Sequence, residues 1–204
     1  MRLGIFGGSF DPVHYGHLLL AEYCRSDCRL DEVRFVPVAV APHKQHLQPA
    51  SADHRTQMLR LAIGGHEPFT ISTVETDRGG VSYTVDTLEA LQCEDPTRQL
   101  FLLLGADSLF DVPNWKNPAR ICELATLVVV RRSDMPEPDF SCLDQVATPT
   151  QIDTFRRHQV RMPLIELSST TIRQRVAAGH SIRFQTPRAV EKYIETHQLY
   201  TSAS

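Results

Sequence analysis

Leu3-Gly4-Ile5-Phe6-Gly7-Gly8-Ser9-Phe10-Asp11-Pro12-Val13-His14-Tyr15-Gly16-His17-Leu18 is the stretch whose reading decides the fold. An apolar strand pattern, Leu3–Phe6, meets two adjacent glycines, then a turn-forming Asp-Pro, then a His-x-Gly-His that opens an apolar helix running through Leu18 toward Cys28. Free backbone N–H groups and the positive end of a helix dipole collect at such a strand–loop–helix junction, so it favours an anion. His14 and His17 add donors. Gly7 and Gly8 permit φ > 0 and close approach of a ligand, and Gly16 removes a side chain beside His17. Asp11 before Pro12 reads as turn chemistry. The plain alternative is a tight turn with two solvated histidines.

Outward from that junction, apolar runs rich in β-branched residues recur at Val33–Val38, Phe69–Val74, Leu100–Leu104 and Leu127–Val130, with a weaker one at Met162–Leu167. Helical patterns at Asp53–Ile63, Thr84–Leu91 and Ala119–Leu124 lie between them. Nearly continuous apolar strands alternating with helices predict an α/β fold, a Rossmann-like doubly wound parallel sheet with helices on both faces. Ligands of such sheets sit beyond the carboxyl ends of the strands at the topological switch. Gly7–Ser9 and Gly105–Ser108 should therefore meet across one crevice. Arg131–Arg161, with Pro136, Pro138 and Pro149 and only a weak helical pattern near Ile152–His158, reads as a surface excursion. Pro187 starts a final helix closing near His197.

At 204 residues, 42% hydrophobic and 22% charged, the chain reads as one domain over 1–200 with a tail at 201–204. A net charge of −3 excludes a general nucleic-acid or anionic-membrane surface, so any anion site is local. The start lacks a secretory signal, and no run approaches the ~20 apolar residues of a membrane span; a cytoplasmic protein is expected. Five cysteines without C-x-x-C suggest neither a disulfide framework nor a zinc site, and Cys24 and Cys28 read as packing residues. His43 and His46 beside Lys44 have no carboxylate or thiolate partner nearby and read as solvated. No protein metal ligand is expected.

A second anion cradle is legible at Ser168-Ser169-Thr170-Thr171-Ile172-Arg173, where hydroxyls cap a helix and a guanidinium follows. There is neither G-x-G-x-x-G nor a P-loop. The two motifs, about 150 residues apart, instead resemble the His-x-Gly-His and Ser-Ser-Thr-x-Ile-Arg signatures of the nucleotidyltransferase superfamily. Four more segments, Pro42-His43-Lys44, Ser82-Tyr83-Thr84-Val85-Asp86-Thr87-Leu88, Leu104-Gly105-Ala106-Asp107-Ser108-Leu109 and Asn114-Trp115-Lys116, narrow the resemblance to the bacterial nicotinate mononucleotide adenylyltransferases over nearly the whole chain.

The resemblance implies adenylyl transfer from ATP to nicotinate mononucleotide, with Mg2+ held mainly by ATP oxygens and water. By it His17, His14 and Arg173 are the catalytic residues. Gly7, Gly8, Ser9, Phe10, His14, His17, Gly105, Asp107, Ser168, Thr170 and Arg173 bind ATP, while Ser9, Lys44, Thr84, Trp115 and Lys116 bind the mononucleotide. Trp115 would stack on the pyridine ring, and the backbone after it would hold the nicotinate group. Each has a plainer alternative: Trp115 as core, and Thr84 or Asp107 as helix caps. Arg131-Arg132-Ser133-Asp134 departs from the Arg-Pro-Gly common in the family, which leaves Arg132 without an assigned role. Partners implied are ATP and the mononucleotide, with no nucleic acid and no membrane; a homo-oligomer is left open. Two rivals stand: a pantetheine-phosphate adenylyltransferase, disfavoured by Ser82–Leu88 and Trp115, and a non-catalytic nucleotide-binding module, disfavoured by an intact His14, His17 and Arg173.

Overall fold

The computed structural model describes residues 1–40, 50–132 and 136–201. Strands β1 (Arg2–Gly8), β2 (Glu32–Pro37), β3 (Phe69–Ile71), β4 (Gln99–Gly105), β5 (Ala125–Arg132) and β6 (Gln159–Met162) form one sheet in the order β3-β2-β1-β4-β5-β6. Every pairing is parallel. The order reverses between β1 and β4, so their carboxyl ends flank the switch-point crevice, as expected for this architecture. The helices are α1 (Tyr15–Asp27), α2 (Ala52–Ile63), α3 (Val74–Arg78), α4 (Thr84–Glu94), α5 (Ala106–Leu109), α6 (Pro118–Leu124), α7 (Pro149–Arg157), α8 (Ser169–Ala177) and α9 (Arg188–Thr196).

Side-chain alternation along the buried strands divides the core into two layers. Phe6, Val33, Phe35, Phe101, Leu103, Val128 and Val130 face one layer with Ala21, Leu59, Ile172 and Ile194. Leu3, Ile5, Leu100, Leu102, Leu104, Leu127 and Val129 face the other with Leu88, Leu91, Ile121 and Phe155. Cys24 and Cys28 are buried free thiols in the first layer, in keeping with their reading as packing residues. No helix among the described residues is long and apolar enough to cross a membrane.

Three sequence expectations are corrected. The last strand is Gln159–Met162 rather than Met162–Leu167: it pairs Val129 with Gln159 through Arg132 with Met162, and Pro163, which has no N–H, ends the ladder. The Arg131–Arg161 stretch is not a surface excursion. Phe140, Leu143, Ile152 and Phe155 are buried, and α7 opens on a Thr148 cap with Pro149 in its first turn, where a missing N–H is harmless. Finally, β3 stops at Ile71, and α3 takes over Val74.

Candidate active site

Residues at the carboxyl end of β1 are held by packing rather than by glycine freedom. Gly7 and Gly8 do not adopt positive φ; the left-handed residue of the loop is Phe10, at φ 49°. Its ring is 1% exposed and lies edge-on to Phe6 and His17, with centroids 5.4 and 5.1 Å away. A Cβ on Gly8 would stand 2.9 Å from that ring, so Gly8 is the space into which Phe10 folds. The buried ring of Phe10 cannot meet a nucleotide, and any ATP contact there falls to its backbone.

His14 is the N-cap of α1 and is buried; His17, one turn on, is half-buried. Their rings stack with centroids 3.7 Å apart and planes 24° apart. The His14 backbone N–H donates to His17 Nδ1 at 3.2 Å, so neutral His17 carries its proton on Nε2. Desolvation lowers the pKa of His14 to about 4, and desolvation followed by the neighbouring His14 charge lowers that of His17. Both are therefore neutral donors at pH 7. Gly16 guards His14 rather than His17, since a Cβ there would meet the His14 ring at 3.0 Å.

The two distant motifs join at this loop. Arg173 Nη1 donates to the Asp11 carbonyl at 2.6 Å, Ser169 Oγ donates to the Pro12 carbonyl at 2.9 Å, and Arg173 Nη2 donates to Thr170 Oγ1 at 3.3 Å. Ser168 caps α8, accepting from the Thr171 N–H at 3.1 Å. The guanidinium is thus aimed by two hydrogen bonds, and Nη1 also lies 3.7 Å from Asp11 Oδ2. Asp11 is more than a turn residue. It is buried, and its Oδ1 accepts from the Tyr200 hydroxyl at 2.6 Å and the Ala50 N–H at 3.2 Å. Arg55, also buried, donates to the carbonyls of Ser9 at 2.9 Å and Ala50 at 3.0 Å. Asp11, Arg55 and Tyr200 fix the loop from behind, a network the sequence reading missed because its members span about 190 residues.

Between β1 and β4 opens a cavity of about 400 Å³ whose lining includes Gly7, Gly8, Ser9, Glu75, Thr84 and Trp115. Trp115 is half-buried, following a turn at Val112–Asn114; it packs on the second core layer and also walls the cavity. It is neither pure core nor free platform. Thr84 is the first residue of α4 and Tyr83 its N-cap, with no side-chain cap bond. Lys116 Nζ holds both oxygens of Asp86 at 3.0 Å and lies over the Tyr83 ring, so its backbone rather than its ammonium is free to serve a ligand. Gly105, not Asp107, occupies the N-cap of α5, and Asp107 is exposed beside it. Glu75 is a wall residue without a motif of its own. Lys44, His43, His46 and Ser133-Asp134 lie outside the described residues, as do 202–204 of the predicted tail. Among the described residues no group of His, Cys, Asp and Glu could hold a metal ion.

Comparison with known proteins places this geometry in context. Residues 5–175 match the cytidylyltransferase-like family. A probable nicotinate-nucleotide adenylyltransferase of Rhodopirellula baltica is 44% identical over 97% of this chain and 92% of its own length. One from Thermus thermophilus is 44% identical over 98% of this chain and all of its own. In structure, the Plasmodium falciparum nicotinic acid mononucleotide adenylyltransferase complexed with NaAD superposes with a TM-score of 0.76 at 17% identity, covering 98% of this chain and 97% of that one. A Vibrio parahaemolyticus protein described as a nicotinate-nucleotide adenylyltransferase gives 0.69 at 20% identity, covering 99% and 96%. Both superpositions speak to the fold.

Proposed function

We infer, because the chain belongs to the cytidylyltransferase-like family and within it to the nicotinate-nucleotide adenylyltransferases, that it is an enzyme of NAD biosynthesis. It transfers the adenylyl group of ATP to nicotinate mononucleotide, giving deamido-NAD and pyrophosphate. We take residues 1–200 as one nucleotidyltransferase domain working in the cytoplasm.

The mononucleotide phosphate is already an anionic nucleophile at neutral pH, so no catalytic base is needed. Its oxygen bonds to the α-phosphorus of ATP as the bond to the pyrophosphate oxygen breaks in line. The chain's contribution is to position two anions that repel each other and to offset charge on the transferring and leaving oxygens. His17 donates from Nε2, since Nδ1 is occupied by the His14 N–H. Arg173, Ser168, Thr170 and the Gly7–Ser9 amides grip the triphosphate, and Gly105 and Asp107 meet its ribose. Ser9, Thr84, Trp115, the backbone of Lys116 and, from the resemblance, Lys44 hold the mononucleotide.

Magnesium fits as an ion carried in by the nucleotide. It binds few protein oxygens when phosphates are present, and the described residues offer hydroxyls and amides here rather than a carboxylate cluster. When bound it offsets triphosphate charge.

The observation that supports this reading is the tie from Arg173 and Ser169 to the carbonyls of Asp11 and Pro12, which joins the second hydroxyl-and-guanidinium motif to the loop whose Gly7, Gly8 and Ser9 line the same cavity as Trp115. The test is a coupled assay with ATP and magnesium. Nicotinate mononucleotide should yield deamido-NAD and pyrophosphate, with the nicotinamide analogue at least tenfold slower, roughly 1.4 kcal/mol. Equal rates would defeat the preference for the acid. Turnover of phosphopantetheine instead would favour the pantetheine-phosphate rival.

A further inference from the structure

Glu75 is a carboxylic acid in a place that should reject one. Its side chain is 5% exposed, inside the wall of the cavity that Tyr83, Thr84 and Trp115 also line. One oxygen, Oε1, accepts from the Thr87 hydroxyl at 2.6 Å. The other, Oε2, is buried with no hydrogen-bond partner among the described residues. A buried carboxylate oxygen left unpaired is costly, whereas a carboxyl group with a proton there is a donor in need of an acceptor. The ligand whose cavity it borders carries an anionic substituent on its ring.

We propose that Glu75 is a specificity-determining residue of the mononucleotide pocket: as the neutral acid it presents its carboxyl proton to the acidic ring substituent of the substrate, and as the carboxylate it opposes that substrate. This rests on the function proposed above. A neutral donor suits an anionic acceptor and gains charge assistance, while an amide substrate offers only a neutral oxygen to the same group.

Among the described residues the surrounding charges supply no dedicated counter-ion. Burial, the largest influence, raises the pKa from its ordinary value, while the neighbouring Thr87 and Ser82 hydroxyls and, on its own helix, Arg78 favour ionisation. Asp77, also on α3, is engaged by Thr73. Of the elements packed on α3, β2 carries Glu32 and Arg34, paired to each other, with Arg34 also on Glu94 of α4. On α4, Asp86 is held by Lys116 and Glu89 by Arg120. Lys116, a cation that lines the cavity, is spent on Asp86.

The consequence is a proton linked to the acid substrate alone. Below the raised pKa Glu75 is already neutral. Above it, binding the acid mononucleotide must draw a proton onto Glu75, and the amide mononucleotide need not. Both ligands share ribose and phosphate, so titration of His14, His17 and the phosphate cancels in the comparison.

The test is calorimetry of both mononucleotides binding to the whole enzyme, in two buffers of different ionisation enthalpy, over a pH series. The acid should take up more protons than the amide, by as much as one, and the acid-to-amide affinity ratio should fall with rising pH by up to tenfold per unit. Glu75→Gln keeps an acceptor for Thr87 and an N–H donor, and should make both quantities independent of pH while leaving the melting temperature near that of the natural protein. Equal proton uptake for the two ligands at every pH overturns the proposal, as does an unchanged pH dependence in Glu75→Gln. If the variant unfolds, the measurement on the natural protein still decides. Failure of the acid mononucleotide to bind at all would overturn the substrate reading itself, which separates the two failures.

Discussion

Gly16→Ala should lower catalysis without lowering stability. Gly16 lies in the first turn of α1, and an added Cβ would sit 3.0 Å from His14 Nδ1 and 3.1 Å from Cε1, whereas its next neighbour, Leu167 Cβ, is at a comfortable 3.8 Å. Contacts of 3.0–3.4 Å oblige the neighbour to yield by a few tenths of an ångström. His14 is buried and stacked 3.7 Å from His17, so any shift is passed to the second ring and strains the N–H bond that sets its tautomer. A misplacement of about 1 Å at a reacting centre can cost ~10²-fold, which scales to about three- to tenfold for a few tenths. Against this, alanine in place of glycine favours the helix by up to about 1 kcal/mol. Steady-state kinetics with a thermal melt test the balance: kcat should fall about three- to tenfold, KM values should change less than about twofold, and Tm should hold or rise. An unchanged kcat with a raised Tm would show that the position of the His pair does not govern the rate. A Tm lowered by many degrees would show that the site is overpacked rather than catalytically displaced.

Trp115→Ala should raise KM for the mononucleotide and leave that for ATP nearly unchanged, at a cost of roughly 1–3 kcal/mol on the base-stacking scale. A large melting shift with both KM values degraded together would return Trp115 to a core role. The pH dependence of stability follows from His14, whose pKa falls from an ordinary 6.5 to about 4 on folding. The native state is then neutral where the unfolded chain binds a proton. Stability should be fully present above pH 6.5 and fall by about 1.4 kcal/mol per unit toward pH 4, about 3 kcal/mol in all from this residue. Chemical denaturation across that range should show the slope reduced in His14→Asn; an equal slope would place His14 in solvent.

Sequence by itself determined the architecture and marked the two stretches proposed as the poles of the site. The near-continuous apolar runs at Leu3–Phe6, Leu100–Leu104 and Leu127–Val130 require burial on both faces, and only a covered parallel sheet supplies it. His-x-Gly-His after a strand and a run of hydroxyls before Arg173 are local patterns, read without knowing what lies across the crevice. Where a local rule competed with a distant one, the reading failed: Met162–Leu167 has strand character, but Pro163 cannot donate to β5. Long-range placement decided the rest. Gly8 is small because Phe10 folds back over it, and Gly16 because the His14 ring stands there. Asp11 is a hub because Tyr200, 189 residues on, reaches its carboxylate. Glu75 belongs to the pocket wall only because α3 lies beside β2 and α4. Periodicity reports which face of an element is buried; which side chain from another element meets it there is fixed only when the layers close.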